Sequence, residues 1–458
     1  MKFQTINPST EEVIAEHEIM PKDKVLDSAK KSHAAFNEWK QLDISERSDY
    51  FRKIAKVLRN NKERYAKLMT LEMGKPIKQS LTEIEKCAWS SEVYADNAAK
   101  WLEEETVQAD GKKHLVAFEP LGCILSIMPW NFPFWQAFRF GIPTLIAGNV
   151  SILKHSNIVP QCALAIEEAF REAGFPENVF KTIITNHESV AELIKSDLIQ
   201  GVSLTGSTSA GVRVAELAGA NLKKVVLELG GSDPFIILDD ADIEIAAKNA
   251  VSGRTINSGQ SCIAAKRFIV IKSVAGEFSK IFAEATNALI VDEPMDMKTD
   301  VGPLVNKDGL MQIEAQVHDA VSKGAMILTG GKKLERKGYF FKPTVLSNIK
   351  NNMKVVTEEV FGPVAPIIIV NDEEEAIKIA NNTEFGLGAS IWTSDEAKGL
   401  EIAKKIEAGD VFINSVVKSD PRMPFGGIKK SGIGRELSKY GLREFVNIKG
   451  INVYEVKR

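Results

Sequence analysis

Cysteine is scarce in this chain and scattered: Cys87, Cys123, Cys162 and Cys262 form no CxxC or CxH pattern. That spacing argues against a disulfide framework or a zinc site and fits a reducing cytoplasm. The six histidines show no ligand spacing either, so the chemistry is expected to need no metal. No apolar run reaches the ~18–20 residues of a membrane helix. The opening MKFQTINPSTEEV lacks the apolar stretch of a secretory signal. Charge of one sign is missing too. A net charge of −3, with both signs interspersed, offers nucleic acid no basic face. What is present, 458 residues with 44% hydrophobic and 26% charged, is the composition of a globular protein of two or three domains.

Between 45 and 105 apolar residues recur at helical spacing, with Phe51, Ile54, Leu58, Tyr65, Leu68 and Met69 on one face. Residues 106–120 read as a polar hairpin turning at Asp110-Gly111, which needs a partner surface. From 123 onward short β-rich runs (CILSIMPW, SILKH, GVSLTG, KVVLELGG, PFIILDD) alternate with helical stretches, and the pattern resumes after 262 with RFIVIKS, APIIIV, GASIWTS and GDVFINS. This alternation predicts βαβ units and mostly parallel sheets, in two α/β domains meeting near Gly230-Gly231. Thr393 and Glu396 sit at capping-box spacing ahead of a helix that Gly409 should end.

Several segments could carry chemistry, and each also has an ordinary structural reading. In NSGQSCIAAKR, Cys262 is a nucleophile or a small buried residue. In VVLELGGSDP, Glu228 sits among apolar residues at a strand end. Desolvation there would raise its pKa to suit a general base, unless it lies exposed at an edge. In IMPWNFPFWQAFRFG, prolines stiffen the backbone around Asn131, whose amide suits an oxyanion donor, although an aromatic core would look the same. GVSLTGSTSAG runs from a strand into a turn where Gly206, Ser207 and a helix N-terminus could receive phosphate, or simply cap the helix.

Taken in order, PWNFP, TGSTSAG, ELGG, GQSC, EEVFGP and PFGGIKKSGIGRE resemble the motifs of the NAD(P)-dependent aldehyde dehydrogenase superfamily, over essentially the whole chain. The resemblance implies a Rossmann-like cofactor domain (1–105 and 121–230), an α/β catalytic domain (231–435) and an oligomerisation element (106–120 with 436–458) built around a projecting β-hairpin. It makes Cys262 the nucleophile, Asn131 and the Cys262 N–H the oxyanion donors, and Glu228 the base that activates water. NADP or NAD would be held by Trp130, Lys154, Ser156, Asn157, Gly206, Ser207, Glu359 and Phe361. A cytoplasmic homodimer or homotetramer acting on a small aldehyde is implied, with no nucleic-acid or membrane partner.

Two positions depart from the family's pattern. Asn157, three residues after Lys154, replaces a glutamate common in NAD-preferring members, which favours acceptance of NADP. Arg139, eight residues after Asn131, matches an arginine of succinate-semialdehyde dehydrogenases, but their second arginine, six residues before the cysteine, is Ile256 here. Phe425 and Ser419 complete the expected substrate pocket, with Arg254, Lys418 or Ser419 as candidate replacements for the lost arginine. Succinate semialdehyde is the expected substrate. A CoA-acylating reductase, a dehydrogenase of glyceraldehyde or lactaldehyde, and a structural protein on this fold are the alternatives. Glu228 argues against the CoA route, and the intact Cys262, Glu228 and Asn131 against the structural one.

Overall fold

The computed structural model describes residues 2–456. The apolar runs form the strands of two largely parallel sheets. The first has the order Gly432–Ile433, Lys224–Glu228, Gly201–Thr205, Cys123–Met128, Val150–His155, Phe180–Thr182. All neighbours are parallel except the Gly432–Ile433 edge, which pairs antiparallel with Leu227 and Glu228. Ile124, Leu125, Ile152, Val202 and Val226 are buried, as expected of strands covered by helices on both faces. The second sheet takes its strands from 234–413, in the order Met326–Thr329, Thr344–Ser347, Val364–Val370, Arg267–Ile271, Pro234–Ile237, Gly388–Trp392, Asp410–Ile413. The chain leaves the first sheet at Glu228 and enters the second at Pro234.

Preceded by a further helix, Lys22–Trp39, the helical stretch expected over 45–105 is formed by Ile44–Asn60, Lys62–Met73 and Ile77–Trp101. The break before the third follows from Gly74, left-handed at φ 78°, and Pro76. A three-stranded sheet joins Val446–Val453, Lys113–Pro120 and Glu105–Thr106, all antiparallel, so the chain does turn back near Asp110-Gly111. Its longer pairing is with the C-terminal strand.

Gly432–Ile433 extends the first sheet, and Phe445 packs edge-on to Phe140 in that domain's core. One expectation changes. The helix Glu396–Ala403 is capped by Asp395, which accepts from the Lys398 N–H at 3.1 Å, not by Thr393. Thr393 instead donates its hydroxyl to Asp240 at 2.8 Å, and the helix ends ahead of Gly409. Among the described residues no helix is long and apolar enough to cross a membrane.

Candidate active site

The cysteine loop is held in a costly backbone conformation. Asn257, Ser258 and Gly259 are all left-handed, with φ of 52°, 56° and 79°, which persists only where the surroundings over-determine it. The Asn257 N–H donates to Gln79 Oε1 at 2.7 Å, and its side-chain amide donates to the Asn131 carbonyl at 2.7 Å. Ser258 donates to the Gly302 carbonyl at 3.1 Å, and Gln260 Oε1 accepts from the Val305 N–H at 2.8 Å. At Gly259 a Cβ would lie 2.4 Å from the Gly362 backbone, so only glycine fits. Beyond this loop Cys262, half-buried as a residue, lies in the wall of a cavity of about 550 Å³. The Cys262 amide N–H makes no hydrogen bond among the described residues. Burial pushes the thiol up to about 12, while Arg139 and Lys266 pull the other way. It therefore rests as a thiol and needs a base.

Asn131 is buried and donates one amide hydrogen to the Gln260 carbonyl at 3.1 Å, which leaves its second hydrogen unused. Its loop is anchored by His155, a residue the sequence did not single out. With the Ser156 N–H donating to Nδ1 at 2.9 Å, Nε2 carries the proton and donates to the Pro133 carbonyl at 2.9 Å. Burial lowers His155 to about 4, so it stays neutral.

Glu228 closes its strand almost fully buried, and neither carboxylate oxygen has a hydrogen-bond partner among the described residues. Burial raises its pKa well above the ordinary value, opposed by Arg139 and reinforced by Glu436. The exposed-edge reading of Glu228 is excluded. Arg139 is also buried. It pairs with Glu436 through Nε, donates from Nη2 to the Thr205 hydroxyl at 3.2 Å, and lies 4.8 Å over the Phe425 ring while still lining the cavity. Its charge is thus already shared with Glu436, although its Nη1 has no hydrogen-bond partner among the described residues. Phe425 is buried at the pocket's edge and Ser419 lines its wall. Arg254 is no substitute for the missing arginine: it donates to the carbonyls of Ala265 and Gly259 at 2.8 and 2.7 Å and does not line the cavity.

The residues expected around the cofactor lie at the carboxyl ends of the first sheet's strands, where open α/β sheets receive nucleotides. Trp130 follows Cys123–Met128, Lys154, Ser156 and Asn157 follow one another at the end of Val150–His155, and Gly206 and Ser207 follow Gly201–Thr205. Ser207 caps the helix Thr208–Ala220 from an exposed position. Lys154 is buried, lowered to about 8 by that burial, and makes no ion pair among the described residues. From the second domain Phe361 meets Trp130 edge-on, with ring centroids 5.7 Å apart. Glu359 turns back instead: its Oε1 accepts from the Gly231 N–H at 3.1 Å and pairs with Lys266 at 3.6 Å.

Lys266 and Glu83 were also not evident from the sequence. Lys266, fully buried, donates to the Ser261 and Cys262 carbonyls at 2.8 and 2.6 Å and so fixes the nucleophile's backbone. Glu83 Oε1 accepts the N–H groups of Phe134 and Trp135 at 3.0 and 2.9 Å, which caps the helix that follows Asn131 and carries Arg139.

This chain belongs to the aldehyde dehydrogenase family, which it matches over residues 1–451. Among curated relatives, the probable succinate-semialdehyde dehydrogenase [NADP(+)] of Synechocystis sp. is 47% identical over 454 residues, 98% of this chain and 99% of that one. A succinate semialdehyde dehydrogenase [NAD(P)+] of Escherichia coli is 42% identical, covering 98% of this chain and 97% of its own. The crystal structure of the succinic semialdehyde dehydrogenase of Streptococcus pyogenes in complex with NADP+ superposes with a TM-score of 0.97 at 36% identity, over 99% of this chain and 100% of that one.

Proposed function

We propose that this enzyme oxidises succinate semialdehyde to succinate, with NADP or NAD as cofactor, through covalent intermediates on Cys262. The observation carrying this reading is the charge of the cavity. Arg139, Lys86 and Lys418 line it with Cys262, while its two acidic residues are already engaged: Glu83 with Lys75, and Asp300 with Lys78 at 2.6 Å. The surplus is cationic, and Phe132, Trp135, Ile263 and Val417 give the cavity apolar walls beside polar ones such as Gln79 and Gln136. A short chain with an aldehyde at one end and a carboxylate at the other suits both. The activities of the relatives named above point the same way.

The residues fit a dinucleotide, because Lys154 is a buried cation without an acidic partner and Ser207 opens an exposed helix N-terminus. When bound, the nicotinamide supplies the hydride acceptor. Glu228 takes the Cys262 proton, and the thiolate adds to the aldehyde carbon. The resulting oxyanion is held by the Cys262 N–H and the free amide hydrogen of Asn131. Once its hydride has departed, the thiohemiacetal is a thioester. After Glu228 has released that first proton to solvent, it takes one from water, whose oxygen adds to the carbonyl; the tetrahedral species expels the Cys262 thiolate, which recovers its proton, and leaves succinate. A carboxyl raised by burial is suited to both proton transfers. All four cysteines are free, in keeping with a cytoplasmic enzyme. We extend the reading to a homodimer or homotetramer joined through the three-stranded sheet, whose last strand exposes Ile448, Ile451 and Val453.

The test is a set of steady-state assays with succinate semialdehyde, butanal, lactaldehyde and glyceraldehyde, both cofactors, and CoA present or absent. Succinate semialdehyde should give the highest kcat/KM and yield succinate without CoA. A higher value for a hydroxyaldehyde, or an absolute need for CoA, overturns the reading.

A further inference from the structure

The cavity holds a cation that neither the motifs nor the nucleophile account for. Lys86 lies on the helix Ile77–Trp101, far in sequence from the cysteine loop, and lines the same cavity as Cys262 and Arg139. Its ammonium donates to Ser419 Oγ at 2.7 Å and sits 4.3 Å over the Trp135 ring. No ion pair engages it among the described residues. The nearest acids are spent elsewhere, Glu83 on Lys75 and on the helix cap, and Asp420 on Arg422 at 2.7 Å. Burial lowers Lys86 to about 8, with Arg139 adding to the effect, so the lysine lies where its charge is under-compensated.

The hydrogen-bond accounting around Ser419 sharpens this. Its Oγ accepts from Lys86 and also from Trp135 Nε1 at 3.1 Å. Both lone pairs are then used, and the hydroxyl hydrogen is left to donate. It has no acceptor among the described residues. The Lys86 ammonium keeps further N–H groups, and Arg139 keeps Nη1. Three side chains thus present donors to one cavity with no acceptor among them. A cluster of that kind is satisfied by an acceptor-only group carrying negative charge, which is a carboxylate.

We propose that Lys86, oriented by Ser419 and Trp135, is the specificity-determining cation for the substrate's distal carboxylate, in the role left vacant by Ile256. The inference rests on the proposed activity and names the residue that confers it. Arg139 is shared with Glu436, so Lys86 supplies the charge that nothing in the protein offsets. The aromatic face beneath it holds the ammonium without neutralising it.

The experiment compares wild type, Lys86→Met, Lys86→Arg and Lys418→Met on succinate semialdehyde and butanal. It also measures competitive inhibition of butanal oxidation by succinate against butanoate. In Lys86→Met the ratio of kcat/KM for succinate semialdehyde to that for butanal should fall about 10- to 100-fold, the loss of one charge-assisted contact. The preference for succinate over butanoate as inhibitor should shrink alongside it, and Lys86→Arg should restore most of both. If both substrates fall alike in Lys86→Met, the lysine only braces Ser419 and Trp135, and the proposal is overturned. It is equally overturned if Lys418→Met collapses the ratio while Lys86→Met preserves it. If the wild type shows no preference for succinate semialdehyde over butanal, it is the activity reading that fails.

Discussion

Replacing Glu83 by glutamine removes one negative charge and almost no volume, from a position where the charge does two jobs. One oxygen caps the helix Pro133–Ile146 through the Phe134 and Trp135 N–H groups, and the other pairs with Lys75. Lys75 is fully buried, stacked 3.8 Å over the Phe132 ring, with burial lowering its pKa. Glutamine can keep a carbonyl oxygen on the helix cap, but its NH₂ then faces a second donor. Breaking a buried ion pair from one side destabilises by about 3–5 kcal/mol. Because Lys75 can release its proton, the lower end applies, about 3 kcal/mol. The double variant Lys75→Met/Glu83→Gln removes both charges, keeps the cap and keeps contact with Phe132, so it should recover to within about 1 kcal/mol of wild type. The pair also borders the Asn131 loop through Phe132, and a shift of that loop in Glu83→Gln should lower kcat about 10-fold or more. Urea unfolding followed by tryptophan fluorescence, with steady-state rates on the same preparations, measures both effects. A Glu83→Gln protein that unfolds at wild-type urea concentrations, or a double variant no better than the single, refutes the reasoning.

Three further outcomes are expected. Glu228→Gln should slow hydride transfer, because Cys262 loses its base, and slow thioester hydrolysis more. At alkaline pH it should release about one equivalent of reduced cofactor and then stall; wild-type kcat should climb as pH rises through the pKa of Glu228, which burial raises, and the variant loses that limb. Rapid-quench measurement of reduced cofactor checks this, and a linear time course without a burst counts against it. Asn157→Glu should move the NAD-to-NADP ratio of kcat/KM toward NAD by about 10-fold, by placing a carboxylate where a 2′-phosphate would lie; an unchanged ratio in paired assays removes Asn157 from cofactor selection. For His155, lowered to about 4 from an ordinary 6.5, the neutral form supports the fold. Its contribution is complete above about pH 6.5 and is lost as pH falls toward 4, by at most about 3 kcal/mol. Thermal unfolding of wild type and His155→Gln across that range should show a shallower acid decline in the variant.

Much of the architecture was legible because parallel strands buried on both faces must be written as continuous apolar runs. Cys123–Met128, Gly201–Thr205, Arg267–Ile271 and Gly388–Trp392 all coincide with such runs. The motif residues were legible for a related reason, since a thiol after Gly-Gln or a glutamate before Gly-Gly stands out locally. The groups that hold them do not. Glu83, Lys86 and Lys266 look like ordinary charged residues, and only the folded chain brings them to Trp135, Ser419 and the Cys262 carbonyl. Glu436 was legible as part of a motif, yet its pairing with Arg139 joins segments on either side of the whole second domain. Thr393 was misread because local spacing cannot reveal that Asp240 competes for its hydroxyl.

The return of residues 432–445 to the first sheet has a consequence for the order of assembly during synthesis. The strands Cys123–Met128 to Lys224–Glu228 leave the ribosome early, yet their outer edge lacks Gly432–Ile433, and Arg139 lacks Glu436, until nearly all of the chain has been translated. Until then a buried guanidinium has no counter-ion, and the strand bearing Glu228 has an open edge. A nascent chain therefore carries Asn131, Glu228 and Cys262 well before it can hold that site together. This late segment works as a latch, and a chain stopped between Ile413 and Gly432 should lack both the edge strand and the Glu436 counter-ion and should fail to bind cofactor.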